Sequence, residues 1–350
     1  RHVQARSSSQ FSLQKINPLS SPTFPTGAAS SRNHIHQSIG TCERSKIPSL
    51  RAGPKNRARG TATMLSEKIS NDANSTADLL LLFQDNKVIV NEVHLSNLWN
   101  KLGRHRDASE LRYRQGVRHL LLHTIDFVDL HGPLRPRSLS NIAHGVAKSR
   151  LQIKEARFLL EAIGKATVLR GTLLGFNPQN LANMVWAFAT AGVRANSLYE
   201  AVANEAVRQQ LREFNPQNIS NMVWAFAKAG VQAEKLYASV ADEVVLHQLH
   251  EFNPQSLANI VWAFATAGIR SDKIYETVAD EAKRQQLRGF KPQNLSNMVW
   301  AFATAGVHAD KLYETVANEA VQRQLQGFNP QDLSNMVWAF ATAGNCRRAC

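Results

Sequence analysis

Cysteine is almost missing from this chain, with three in 350 residues (Cys42, Cys346 and Cys350). That excludes a disulfide framework and points to a reducing compartment. No stretch approaches the roughly 20 apolar residues of a membrane span, and the greasiest run, Leu79 to Phe83, is far too short. Glycine is not enriched and no phosphate loop appears, which argues against a Rossmann or P-loop nucleotide domain. Acid is scarce in one region. Residues 1–62 hold ten Lys and Arg against a single acid, Glu43, together with eleven serines and no apolar h-region. This is the composition of an organelle transit peptide and not of a secretory signal, and it has too little apolar surface to fold. Residues 1–63 are therefore expected to be a disordered transit segment. Since the first methionine is Met64, translated upstream sequence is the other reading.

The formal net charge of +14 is concentrated in that segment, because residues 176–344 hold 13 Lys and Arg against 15 Asp and Glu. With 43% apolar residues the remainder can bury a sizeable core.

What dominates the sequence is a 38-residue period. Phe176, Phe214, Phe252, Phe290 and Phe328 keep this step, as do Trp186, Trp224, Trp262, Trp300 and Trp338 and the prolines Pro178, Pro216, Pro254, Pro292 and Pro330. Each unit predicts two helices. Asn177 is a good N-cap and Pro178 sits at the first helical position, where its missing N–H costs nothing. Gly192 can take a positive φ and stop the helix. The second helix is expected over about 196–211, with Leu198, Val202 and Ala206 on one face. A lone helix pair cannot bury its apolar face, so the units must stack. Fainter copies precede them at Pro136 to Lys148 and at Leu95 to Gly103, where Trp99 falls one place early, and helices are expected near 107–124 and 154–168. The expected fold class is all-α, a right-handed α-solenoid of helix-turn-helix repeats. The expected organisation is a helical region with degenerate repeats at 64–175, the tandem array at 176–344 and a divergent tail at 345–350.

The motif P-Q-x-L-[SA]-N-x-x-W-A-x-A in a 38-residue helix pair resembles the octotricopeptide repeat and the helical region of RAP-domain and FAST-kinase-like proteins. The resemblance covers roughly residues 90–344 and is strongest from 176 onward. It implies an organelle RNA-binding factor that supports transcript stability or translation, in the chloroplast, with the mitochondrion as the alternative. Single-stranded organelle RNA is the implied partner, with RNA-processing or ribosomal proteins as further partners. The family's C-terminal RAP domain is not in this sequence and the last unit stops after one helix, which reads as a truncated or misjoined gene model.

On a helical wheel, Leu181, Met184, Val185 and Phe188 form one face of the first helix, and Gln179, Asn183, Trp186 and Thr190 form the opposite stripe. The asparagine recurs as Asn221, Asn259, Asn297 and Asn335, and the glutamine as Gln217, Gln255, Gln293 and Gln331. Amides can read a base edge and an indole can stack on a base, as in helical-repeat RNA binders. The same residues have structural alternatives: tryptophan as core between units, asparagine as a bridge for buried backbone, glutamine as a solvated or capping side chain. Positions 180, 182 and 194 vary between units (Arg194, Gln232, Arg270 and His308 at the last) and are candidates for readout. Phosphate contacts would come from cations that include Arg208 and Arg284. The surrounding acids are expected to form solvated networks.

No catalytic constellation stands out, so no enzyme activity and no cofactor is expected. His119 and His123 stand four apart but lack a third ligand, and Cys346 with Cys350 does not make a zinc site. A protein-binding scaffold is the rival function, which the near-neutral charge of the array favours.

Overall fold

The computed structural model describes residues 54–131, 134–169, 171, 173–246 and 249–349. Among these are fifteen α-helices and no strand. The irregular N-terminal part comprises α1 (Pro54–Glu67), α2 (Thr76–Asn86), α3 (Glu92–Leu102), α4 (Arg114–Leu130), α5 (Pro136–Lys148) and α6 (Lys154–Val168). The regular array comprises the pairs α7 (Pro178–Ala191) and α8 (Asn196–Arg208), α9 (Pro216–Ala229) and α10 (Glu234–Leu246), α11 (Pro254–Ala267) and α12 (Asp272–Arg284), and α13 (Pro292–Ala305) and α14 (Asp310–Gln322). It ends in the single helix α15 (Pro330–Ala349).

Each first helix packs against the first helices of its neighbours, in the unbroken order α3, α5, α7, α9, α11, α13, α15. The second helices α4, α6, α8, α10, α12 and α14 form another such row beside it. The stacked helix pairs make a solenoid, and the degenerate units belong to the same stack as the regular ones.

The punctuation of each unit explains its shape. The side chains of Asn177, Asn215, Asn253 and Asn329 accept from the backbone N–H three residues on, at 2.8, 2.8, 2.9 and 2.9 Å. Gly192, Gly230, Gly268 and Gly306 stop the first helices with φ of 64–68°. The next residue closes the stop, as Val193 N–H donates to the Phe188 carbonyl at 3.0 Å. Gly344 does not act this way: Asn345, not Val or Ile, follows it, and α15 runs on to Ala349.

α13 alone begins behind a lysine. Lys291 has no side-chain acceptor; its own N–H donates to the Asn294 side-chain oxygen at 2.9 Å, and the Asn294 N–H has only the Lys291 carbonyl, at 2.8 Å. Lys291→Asn is expected to raise the unfolding free energy by about 1 kcal/mol, read from denaturant midpoints at unchanged slope.

Contact between the layers is carried by one tyrosine per unit. Tyr199, Tyr237, Tyr275 and Tyr313 donate to the carbonyls of Val185, Val223, Val261 and Val299 at 3.1–3.4 Å. Each ring also meets the edge or face of the next unit's phenylalanine, as Tyr237 does with Phe264 at 5.0 Å and 88°. One side chain thereby joins three helices, and burial pushes the Tyr199, Tyr237 and Tyr275 hydroxyls well above their usual pKa.

Three expectations need correction. Helix α1 starts at Pro54, inside the segment expected to be disordered, because Leu65 and Ile69 bury their side chains and the His94 ring reaches the Ala62 carbonyl at 2.8 Å. Residues 1–53 lie outside the described residues. The helix expected over 107–124 is α4, displaced C-terminally, with two 3-10 turns over Arg106–Ser109 and Leu111–Tyr113 ahead of it. The second helices stop at Arg208, Arg284 and Gln322, short of the expected leucine. The pairs Gln210–Leu211, Gln286–Leu287 and Gln324–Leu325 all take φ of 50–58°, where no glycine advertises the turn. Trp99 lies where the array has Val185, so it faces the second helices, and its indole N–H donates to Thr124 Oγ1 at 3.0 Å.

Candidate nucleic-acid interface

The stripe of the first helices is assembled as a ladder, and its depth is the main structural finding about it. Asn183, Asn221, Asn259, Asn297 and Asn335 are only 1–8% exposed. Neither polar atom of the Asn259 amide has a hydrogen-bond partner, nor has the Asn297 amide nitrogen, whereas the Asn335 oxygen accepts from Gln331 at 2.8 Å. An unpaired buried amide costs about 1–3 kcal/mol. The glutamines sit one turn nearer the N-termini and reach the surface: Gln179 and Gln331 are exposed, and Gln217, Gln255 and Gln293 are half-buried.

The tryptophans lie between units. Trp186, Trp224 and Trp262 are 0%, 1% and 6% exposed, Trp300 is half-buried, and Trp338 is 46% exposed. The ladder continues backward into the degenerate units with a different ring, since His144 packs on Trp186 at 4.9 Å. Forward, Trp300 tilts against Trp338 at 6.3 Å. The indoles of the first three units are therefore core and not open platforms for bases.

Burial pushes the His144 imidazole down to about 3, helped by the nearby Lys148 and Arg104 cations. The unfolded chain takes up a proton there below about pH 6.5, while the folded chain stays neutral. The stability this site contributes is thus complete above pH 6.5 and is lost as pH falls toward 3. His144→Phe is expected to flatten the acid limb of stability by up to about 1.4 kcal/mol per pH unit, measured as melting temperature between pH 6 and pH 4.

The varying positions have structural partners. The Asn180 amide donates to Ser140 Oγ at 3.1 Å, Ser220 Oγ to Ser256 Oγ at 3.1 Å, and Ser296 Oγ to Asp332 Oδ1 at 3.2 Å. Position 182 of one unit thus meets position 180 of the next inside the border. Variation there changes how units join, which corrects the expectation that these positions serve readout. Position 194 is different: Arg194, Gln232, Arg270 and His308 are all exposed on the turn between the helices.

The candidate phosphate-binding arginines divide. Arg208 and Arg284 lie at the ends of second helices, in two-pronged pairs with the buried Glu205 and Glu281 at 2.7–2.8 Å. Gln209 and Gln285 join these carboxylates to the carbonyls of Phe176 and Phe252. The arginine hydrogen bond first of all holds the Glu205 and Glu281 carboxyls below their usual range. Those acids are structural anchors and not a solvated network. Arg270 pairs with Asp272 at 3.0 Å. Arg194 lines an open cleft of about 910 Å³ beside Glu200, Glu234 and Lys235.

The sequence analysis missed the cations of the degenerate units. Arg114, Arg150, Lys154 and Arg157 line two neighbouring clefts at the α5–α6 turn, where Lys228 of the regular α9 joins them. The scatter of the four between 114 and 157 hides them from any repeat alignment. His119 is exposed, and His123 is half-buried against Phe83 at 5.3 Å. Among the described residues no group of three or more His, Cys, Asp or Glu gathers for a metal, and no helix is long and apolar enough to cross a membrane.

Fold and site define a stacked helical-repeat protein with amide and indole ladders on one layer. Residues 212–346 match the family model of the RNA-editing substrate-binding complex 6 protein. Residues 140–241 match that of the Tbc2 translation factor, N-terminal domain. The matched stretches overlap and together run from within α5 through the array, so the chain is similar at family level to RNA-associated and translation-associated proteins. No curated protein matches the chain.

Proposed function

We propose that the chain binds single-stranded RNA in an organelle, with some base selectivity, and acts on transcript stability or translation through occupancy alone, without catalysing a reaction. The chloroplast is the preferred compartment, on the composition of residues 1–62, and the mitochondrion the alternative. The likeness to octotricopeptide-repeat proteins rests on the repeat motif itself, and the two family matches support the RNA reading more broadly. The observation that carries the reading is the ladder of identical amides at one depth in successive units. The Asn259 and Asn297 side chains keep hydrogen-bonding capacity that no described residue uses, and surface glutamines stand one turn away. A base edge that reached them on a small opening of the stack would relieve that cost.

Units four and five differ at only two positions between Phe290 and Gly306 and their counterparts (Lys291 against Asn329, Asn294 against Asp332). Near-identical units present near-identical surroundings, so the chain is expected to prefer one homopolymer over a mixed sequence. The test is binding of the full chain to four homopolymers and one mixed oligonucleotide at two salt concentrations. Micromolar or tighter binding to one homopolymer supports the reading; weak binding to all five that vanishes at moderate salt sinks it and favours a protein scaffold. Replacing Asn221, Asn259 and Asn297 together by Ala then separates roles: binding lost at an unchanged melting temperature makes the row a reader, and a melted fold makes it a structural ladder.

A further inference from the structure

The turn from α5 to α6 is flanked by clefts of about 320 and 480 Å³. Arg114 lines the first, Lys154, Arg157 and Lys228 the second, and Arg150 both. No carboxylate lines either one. Arg150 projects from a left-handed backbone, φ 53°, an uncommon conformation for a side chain other than Gly, Asn or Asp. Arg157 is held by Glu161 at 3.1 Å and Lys154 has the neighbouring Glu155 within electrostatic reach, but among the described residues Arg114 and Arg150 have no carboxylate partner.

The regular units treat the same turn differently. Three of the four regular second helices, α10, α12 and α14, open with Glu234, Asp272 and Asp310, while α8 opens with the neutral Asn196, and Asp272 neutralises Arg270 across the turn. α6 opens with Lys154 instead, and its one early acid, Glu155, is buried and bound to Arg118 at 2.8 Å. The residue ahead of α6 is Ile153, which lines both clefts and offers no side-chain acceptor to the helix's first N–H groups. An uncapped N-terminus with its dipole attracts an anion. Lys228 is held below its usual pKa by burial, with its ammonium 4.9 Å from the Trp224 ring. Such a concentration of uncompensated charge stores repulsion that a bound polyanion removes, and guanidinium groups match phosphate in geometry.

We propose that this double cleft grips consecutive backbone phosphates of the RNA strand and anchors the strand at the degenerate end of the array. The proposal rests on the RNA reading above, and it places affinity and readout in different units: phosphates at α4–α6 with α9, bases along the ladder. Phosphate contacts of this kind fix position without carrying sequence information.

The test uses the full chain and fluorescein-labelled oligouridylate and oligoadenylate, with anisotropy read over a salt series. The double variant Arg150→Asn with Lys154→Gln keeps a residue that tolerates positive φ at 150. It is expected to bind both probes about tenfold more weakly, and to reduce the slope of log affinity against log salt by about 1.4, the equivalent of two phosphates on a single strand. The control Lys283→Gln, whose cation is already paired with Asp280 at 2.7 Å, is expected to stay within about twofold, as sequence-independent phosphate contacts add little there. If the double variant loses its helix signal, Lys228→Gln supplies the same reading from a different helix, with about half the slope change. Wild-type affinity and slope in a folded variant overturn the cleft while leaving RNA binding intact. Failure of the wild-type chain to bind either probe at low salt overturns the RNA reading itself. Displacement of the probes by polyglutamate as readily as by unlabelled RNA overturns the cleft as a phosphate site and marks it as a contact for acidic protein.

Discussion

Trp262→Ala, in the middle of the array, is expected to lower the unfolding free energy by about 3–5 kcal/mol. The side chain is 6% exposed within the unbroken row of first helices. Removing it leaves a cavity whose walls are whole helices, which cannot collapse inward without moving a unit border. In a stacked array each unit touches only its neighbours, so a weakened border also divides cooperativity. Denaturant unfolding followed by circular dichroism should change from one transition to two. Trp338→Ala is the internal control: at 46% exposure, with no further described unit packed on it, the expected cost is below about 1.5 kcal/mol, since little apolar area is newly exposed. Equal costs for the two variants would contradict the packing described for the ladder.

Gly145→Val is the second large effect. A side chain at this position would place its Cβ 2.3 Å from the Trp99 carbonyl oxygen and 2.9 Å from the Asn100 nitrogen. Both are backbone atoms of α3, so no rotamer change can make room. The regular units carry alanine at the corresponding place (Ala187, Ala225), so the close crossing of α5 on α3 belongs to the degenerate end alone. The helices must separate, which exposes Trp99, Leu95 and Ile142, each now fully buried. The expected cost is about 3 kcal/mol or more, at the upper end for overpacked cores. Hydrogen exchange should localise the loss to α1–α5 and leave α9–α14 protected.

Much of the solenoid is visible in the sequence because local signals repeat in step. Asn-Pro starts and glycine stops are short-range instructions: all four interior first helices obey the proline and the glycine, and three of them the asparagine, α13 having Lys291 instead. The parts not visible depend on tertiary contact. The left-handed Gln210–Leu211 turn carries no glycine and holds its shape because Leu211 is buried. Helix α2 was announced only by Ser75 and Asp78, whose reciprocal capping bonds of 3.1 and 2.9 Å form a weak signal outside the period. The site followed the same division. The wheel identified which residues share a stripe, but it could not tell a surface stripe from one closed over by neighbouring helices. It therefore placed Asn183 and its counterparts on the same footing as Gln179. The basic clefts escaped altogether because Arg114, Arg150 and Lys228 come together only through stacking.

The borders between units are of two kinds, and they alternate. Ser140 with Asn180, Ser220 with Ser256, and Ser296 with Asp332 are tied by a buried hydrogen bond. At the borders between them, Ala182 faces Asn218 and Ala258 faces Asn294, and the small methyl group supplies no donor. One buried hydrogen bond is worth about 1 kcal/mol, comparable to the energy that separates a rigid joint from one that breathes. The array is then mechanically a string of stiff couplets with a compliant seam after every second unit. Twisting or lengthening to follow a bound strand would be taken up at the alanine seams. A ligand that needs the stack to open would find its openings at Ala182 and Ala258, the second of them directly beside the unpaired amide of Asn259.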